Sequence, residues 1–105
     1  MPRILLRSQA EAEIDEIAKY IAARNLEAGK RFYDACENAF ETLAEHPRIG
    51  AMRRVRTAKL KGLRSWPING YDNYLIFYLP LAERGIDVLH VLHGARDLKP
   101  IIDHG

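Results

Sequence analysis

The apolar residues of this chain change their spacing once, and that change divides it in two. From residue 8 to residue 46 they recur every three or four positions, while from residue 60 onward they fall in short runs of strand length. Ile14, Ile17, Ala18 and Ile21 lie on one face of a helix whose other side carries Glu13, Asp15, Glu16 and Lys19. Ser8-Gln9-Ala10-Glu11 reads as a capping box at its start, with the hydroxyl and the carboxylate serving each other's free amides. Asn25 is placed to cap a second helix, striped by Phe32, Ala35, Cys36, Ala39, Phe40 and Leu43. Pro47 drives His46 out of the helical region and so stops that helix. Two amphipathic helices joined by a short turn predict an antiparallel hairpin, and its apolar face needs a sheet to cover it.

The second half supplies the sheet. Residues 60–68, 73–79 and 86–93 are rich in strand formers. Asn69-Gly70 marks a turn between the first two, and residues 80–85 separate the second from the third, which predicts an antiparallel meander. Residues 47–59 carry Pro, Gly and Arg without periodicity and read as a loop, in which Gly50 fits a turn with an unusual backbone angle. Trp66-Pro67-Ile68 fits an edge, where a missing amide is tolerated. Residues 3–7 form a short apolar run that could be an edge or a central strand. The tail 95–102 is compatible with a helical turn or an extended arm. The expected fold is α+β: strand, helix, helix and a three-stranded antiparallel meander, with the helical hairpin on one sheet face. In the run 73–79 both alternating sets, Tyr74/Ile76/Tyr78 and Leu75/Phe77/Leu79, are largely apolar. The free second face therefore asks for a cover, and a partner protein would supply one.

At 105 residues the chain is expected to form one domain, residues 1–105. A lone cysteine, Cys36, rules out an internal disulfide and a cysteine metal cluster and fits a reducing cytoplasm. No apolar run approaches a signal peptide or a membrane span, so a soluble, cytoplasmic protein without membrane contact is expected. Charge is unevenly spread. Arg48, Arg53, Arg54, Arg56, Lys59, Lys61 and Arg64 fall between residues 48 and 66 with no acid among them, leaving nine bases against fourteen acids elsewhere. Such a segment suits an acidic partner, either nucleic acid or an acidic protein surface. His90 and His93 are three apart and face opposite sides of a regular strand, so a shared metal is not expected. No phosphate loop, Ser-His-Asp arrangement or dinucleotide fingerprint is present, and no cofactor is implied.

Several segments carry a resemblance over nearly the whole chain. They are Ala12-Glu13-Ile14-Asp15-Glu16-Ile17 with Tyr20-Ile21, then Leu43-Ala44-Glu45-His46-Pro47-Arg48-Ile49-Gly50 and Leu63-Arg64-Ser65-Trp66-Pro67-Ile68. Tyr74-Leu75-Ile76-Phe77-Tyr78 and Val91-Leu92-His93-Gly94-Ala95-Arg96-Asp97 complete the set. In order and spacing the chain resembles the RelE/ParE superfamily of type II toxin–antitoxin toxins, nearest to its ParE-like branch.

That resemblance implies a toxin that poisons DNA gyrase and is neutralised by a ParD-like antitoxin of the ribbon-helix-helix type. It implies as alternatives a RelE-like endoribonuclease that cuts messenger RNA on the ribosome, or a non-toxic nucleic-acid-binding module. The strand position that nuclease members fill with arginine falls at Leu75, and no tyrosine follows Tyr78. If the chain were a nuclease, Arg64, His93 and Arg96 would be the catalytic candidates, with Lys59, Lys61 and His104 as further substitutes. Target contact is expected from Arg53, Arg54, Arg56, Lys59, Lys61, Arg64 and Arg96. An antitoxin helix followed by an extended stretch is expected across Ile14, Ile17, Ile21, Trp66, Tyr74 and Tyr78. Asp97 reads as a cap or ion-pair partner near the tail.

Overall fold

A computed structural model of the chain describes residues 2–96. The elements run β1 (Arg3–Leu6), α1 (Ser8–Ala22), α2 (Leu26–Glu45), β2 (Ala51–Met52), β3 (Arg64–Ile68), β4 (Tyr71–Pro80) and β5 (Gly85–His93). They form the expected α+β fold, a helical hairpin on one face of a sheet with strand order β1-β5-β4-β3-β2. The meander β3-β4-β5 is antiparallel, as the turn signals require.

One end of the sheet settles an open alternative and the other differs from the expectation. β1 is an edge strand that pairs in parallel with β5, from Arg3 opposite Gly85 to Leu6 opposite Val88. The chain must pass through α1 and α2 before it reaches the sheet again, and such a long connection permits a parallel neighbour where a hairpin would not. Gly85 makes this pairing possible. Its φ is +112°, and a Cβ there would overlap the backbone of Arg3. At the other edge, residues assigned to a loop supply β2, whose Ala51 and Met52 pair with Ser65 and Arg64. The first meander strand begins later than residue 60, because residues 58–60 form a 3₁₀ turn and Leu63 closes a loop by accepting from the Arg53 amide.

The two helices begin for different reasons. Asn25 caps α2, its Oδ1 accepting from the Ala28 amide at 3.1 Å. The expected capping box does not form. Arg7 occupies the cap position of α1 without a side-chain capping bond, and Ser8 is already helical. Arg7 is fixed there because its amide makes the last bond of β1 to Val88 O while its guanidinium grips Asp87 at 2.7 and 3.0 Å.

The main core lies between the hairpin and the sheet. Ala10, Ile14 and Ala18 from α1 and Phe32, Cys36, Ala39, Phe40 and Leu43 from α2 meet Ile68, Ile76, Tyr78, Ile86, Val88 and Val91. The second sheet face is not left free, which corrects the expected exposure. Leu63 and Phe77 are fully buried there, with Val55, Leu75, Leu79, Leu89 and Leu92 packed around them. The basic segment itself crosses that face and uses Val55, Leu60 and Leu63 as its anchors. Much of the cover expected from a partner thus comes from the chain's own loop.

Candidate target-binding surface

The basic segment is a strap with two kinds of cation. Arg64 on β3 and Arg53 just after β2 turn inward. Arg64 Nη1 donates to the carbonyls of Arg48 at 2.8 Å and Gly50 at 2.7 Å. Tyr78 holds the same loop from beneath, donating to Pro47 O at 2.7 Å and accepting from the Gly50 amide at 3.0 Å. Burial pushes the Tyr78 phenol above its ordinary value, although the Gly50 amide and the charge of Arg64 pull the other way. A Cβ on Gly50 would collide with the Tyr78 hydroxyl and press on Ser65 O. Gly50 is therefore needed for close approach; positive φ occurs only at Gly62, Gly70 and Gly85 among the described residues, so the unusual angle expected at Gly50 is absent. Arg53 Nε donates to Ser65 Oγ at 2.7 Å, and its guanidinium lies 5.9 Å from the Phe77 ring centroid. Two of the expected target contacts, Arg53 and Arg64, are thus committed to holding the strap.

The remaining cations of the segment face outward. Arg48, Arg54, Arg56, Lys59 and Lys61 are exposed and make no ion pair among the described residues. Spacing along the chain gives no reason to join Arg48 to Lys61 and Arg64. The pairing of β2 with β3 and the Arg64 clip bring them to one cleft, of about 310 Å³, lined also by Met52, Gly62, Leu79 and Pro80.

The other expected site residues scatter. His93 stacks edge-on against Tyr74, with centroids 5.4 Å apart, and its Nδ1 accepts from the Arg96 amide at 3.2 Å. Residues 94–96 are helical, which favours the helical turn over the extended arm where the tail begins. Asp97 and His104 lie outside the described residues. His90 points the other way, to the Glu13 carboxylate at 3.0 and 3.2 Å. Glu13 does not point away from the fold as its helical position suggests, for it also accepts from the Val91 amide at 3.0 Å. The reason is topological: β1 ends opposite Val88, so beyond that point the β5 edge needs an acceptor from elsewhere.

Of the residues expected to meet an antitoxin, Ile14 and Tyr78 are core, 5% and 0% exposed. Ile17, Ile21, Trp66 and Tyr74 are half-buried at its margin. Trp66 lines a groove of about 770 Å³ between α2 and the β3–β4 hairpin, whose walls include Ala28, Ala35, Ala39 and Tyr71. Ile17 and Ile21 lie on α1, outside that groove.

The fold from Ile4 in β1 to the helical turn after β5 falls within the match of residues 4–98 to the model of the ParE toxin of type II toxin-antitoxin system, parDE. The chain belongs to that family. No curated protein matches the chain. As a ParE toxin it is the toxin component of a type II toxin–antitoxin system, and an antitoxin partner follows from membership. Among the described residues of this ParE toxin no helix is long and apolar enough to cross a membrane.

Proposed function

We propose that this ParE toxin acts by binding a protein, DNA gyrase, and that a ParD-like antitoxin of the ribbon-helix-helix type neutralises it. One observation carries the reading: what fills the sheet face opposite the helices. Leu75, Phe77, Leu79, Leu89 and Leu92 occupy it, under a strap anchored by Leu63. Phosphodiester cleavage needs a base for the 2′-hydroxyl, an acid for the leaving oxygen and cations around the phosphate, all converging on one point. Of the three nuclease candidates, Arg64 is clipped to backbone carbonyls, while His93 ends β5 and Arg96 lies on the turn just beyond it. A toxin that acts by binding needs only a rigid, charged surface, and the outward cations of the strap provide one. For the antitoxin, Trp66 with its groove and the half-buried Ile17, Ile21 and Tyr74 offer apolar side chains for contact.

The test uses the purified toxin on both targets. It should inhibit supercoiling by gyrase or accumulate cleaved DNA, and leave ribosome-bound messenger RNA intact. Position-specific cuts within translated codons that disappear in His93→Ala or Arg96→Ala, while the variant remains folded, would replace this reading with the ribonuclease. Calorimetry with the neighbour-encoded antitoxin should give tight binding and a negative heat-capacity change from apolar burial. No binding at micromolar concentration would overturn the partner assignment.

A further inference from the structure

Cations occur at two clefts beside Leu79, and they are not equivalent. One cleft is lined by Arg7, Gln9, Lys59, Leu60, Leu79, Leu89 and His90. Its charge is largely spent, since Arg7 is paired with Asp87 and His90 faces Glu13. The other is the 310 Å³ cleft of Arg48, Lys61 and Arg64, with Met52, Leu79 and Pro80 as apolar walls. No acid lines it, and among the described residues none of its three cations has a carboxylate partner. Arg64 spends hydrogen bonds there only on uncharged carbonyls, so its full charge remains.

We propose that this cleft binds a doubly charged phosphate group, the terminal phosphate of a nucleotide or of a nucleic-acid 5′ end, between Arg48, Lys61 and Arg64. Three positive charges in one open cleft repel one another, and a ligand that removes that repulsion is favoured over water. A carboxylate or an internal phosphodiester brings one negative charge. A phosphomonoester brings about two near pH 7, with three acceptor oxygens to share among the donors. Guanidinium forks match those oxygens, and one fork is already oriented: by holding the Arg48 and Gly50 carbonyls, Arg64 fixes its own plane and the loop from which Arg48 projects. Little ordering cost then remains on binding. The apolar walls give the sugar or base a surface, whereas inorganic phosphate would use only the cations. This site is separate from the choice of gyrase as target, because it needs only the toxin chain.

The experiment compares two short single strands of identical sequence, one ending in a 5′-phosphate and one in a 5′-hydroxyl, each labelled at the 3′ end. Fluorescence anisotropy with the intact toxin should show the phosphorylated strand binding about tenfold more tightly, the size expected of one added charge-assisted contact set. A nucleoside monophosphate should displace it more effectively than inorganic phosphate; if it competes as well as an unlabelled phosphorylated strand, the free nucleotide is the natural source. The double variant Arg48→Ser/Lys61→Ser should lose the preference, while Arg54→Ser/Arg56→Ser, an equal charge loss outside the cleft, should keep it. Thermal melting of each variant separates lost binding from lost fold, and the comparison of the two strands needs no variant at all. Equal affinity for the two strands would overturn the proposal. So would a preference that survives the cleft variant, or equal displacement by a polyglutamate peptide.

Discussion

At Tyr78 a single hydroxyl satisfies the Pro47 carbonyl and the Gly50 amide inside the protein. Tyr78→Phe keeps the ring and leaves both backbone groups without that partner, so urea unfolding should show a loss of about 1–3 kcal/mol. The strap cations should divide in the same assay. Arg64→Ala frees two carbonyls and should be clearly destabilising, whereas Arg54→Ala, exposed and unpaired, should stay within about 0.5 kcal/mol of the parent. Cys36 offers a pH test. Burial pushes its thiol from 9.0 up to about 12 in the folded protein. The unfolded chain therefore releases this proton at lower pH than the folded one, and Cys36 costs stability as pH rises from about 9 towards 12. The alkaline loss should be smaller in Cys36→Ala, after allowing for that variant's lower starting stability. At pH 8 a thiol reagent should react with the parent only as fast as the protein opens.

Among the elements, the two helix starts give a matched pair. Asn25→Ala removes a formed cap and should cost about 1 kcal/mol, measured by thermal or urea unfolding. Ser8→Ala should change little, because Ser8 lies inside α1 and caps nothing. A capping box is a local pattern, and in α1 it loses to a tertiary demand: Arg7 must finish β1 and meet Asp87. At Asn25 no strand competes, so the local pattern prevails. Glu13 follows the same logic. Its helical position suggests solvent, yet β5 needs an acceptor at Val91 and the nearest element is α1.

For the molecule as a whole, the strap is both a cover and a charged surface, and the two roles should separate. Leu63→Ala cuts into the smaller core and should cost about 2–5 kcal/mol, with faster hydrogen exchange in residues 53–63 than in the helices. Arg54→Ser/Arg56→Ser should leave the melting temperature nearly unchanged and slow association with gyrase about tenfold at low salt, with a flatter salt dependence. If stopped-flow association is unchanged at both low and physiological salt, those exposed arginines are only solvated.

Helix positions, the stop at Pro47, the Asn25 cap, the meander and its Asn69-Gly70 turn were legible in the sequence, because each depends on neighbours within a few residues. So was the family, whose segments keep their order along the chain. The charge of the strap was legible too, since a count of bases and acids needs no coordinates. Tertiary structure alone decided the parallel β1, the short β2 and which strap arginines face inward. Each of these joins residues far apart in the chain: Arg7 with Asp87, Glu13 with Val91, Pro47 with Tyr78. Periodicity reports which face of an element is apolar. It does not say which distant backbone group lacks a partner, and in this protein that requirement placed Arg64, Tyr78 and Glu13.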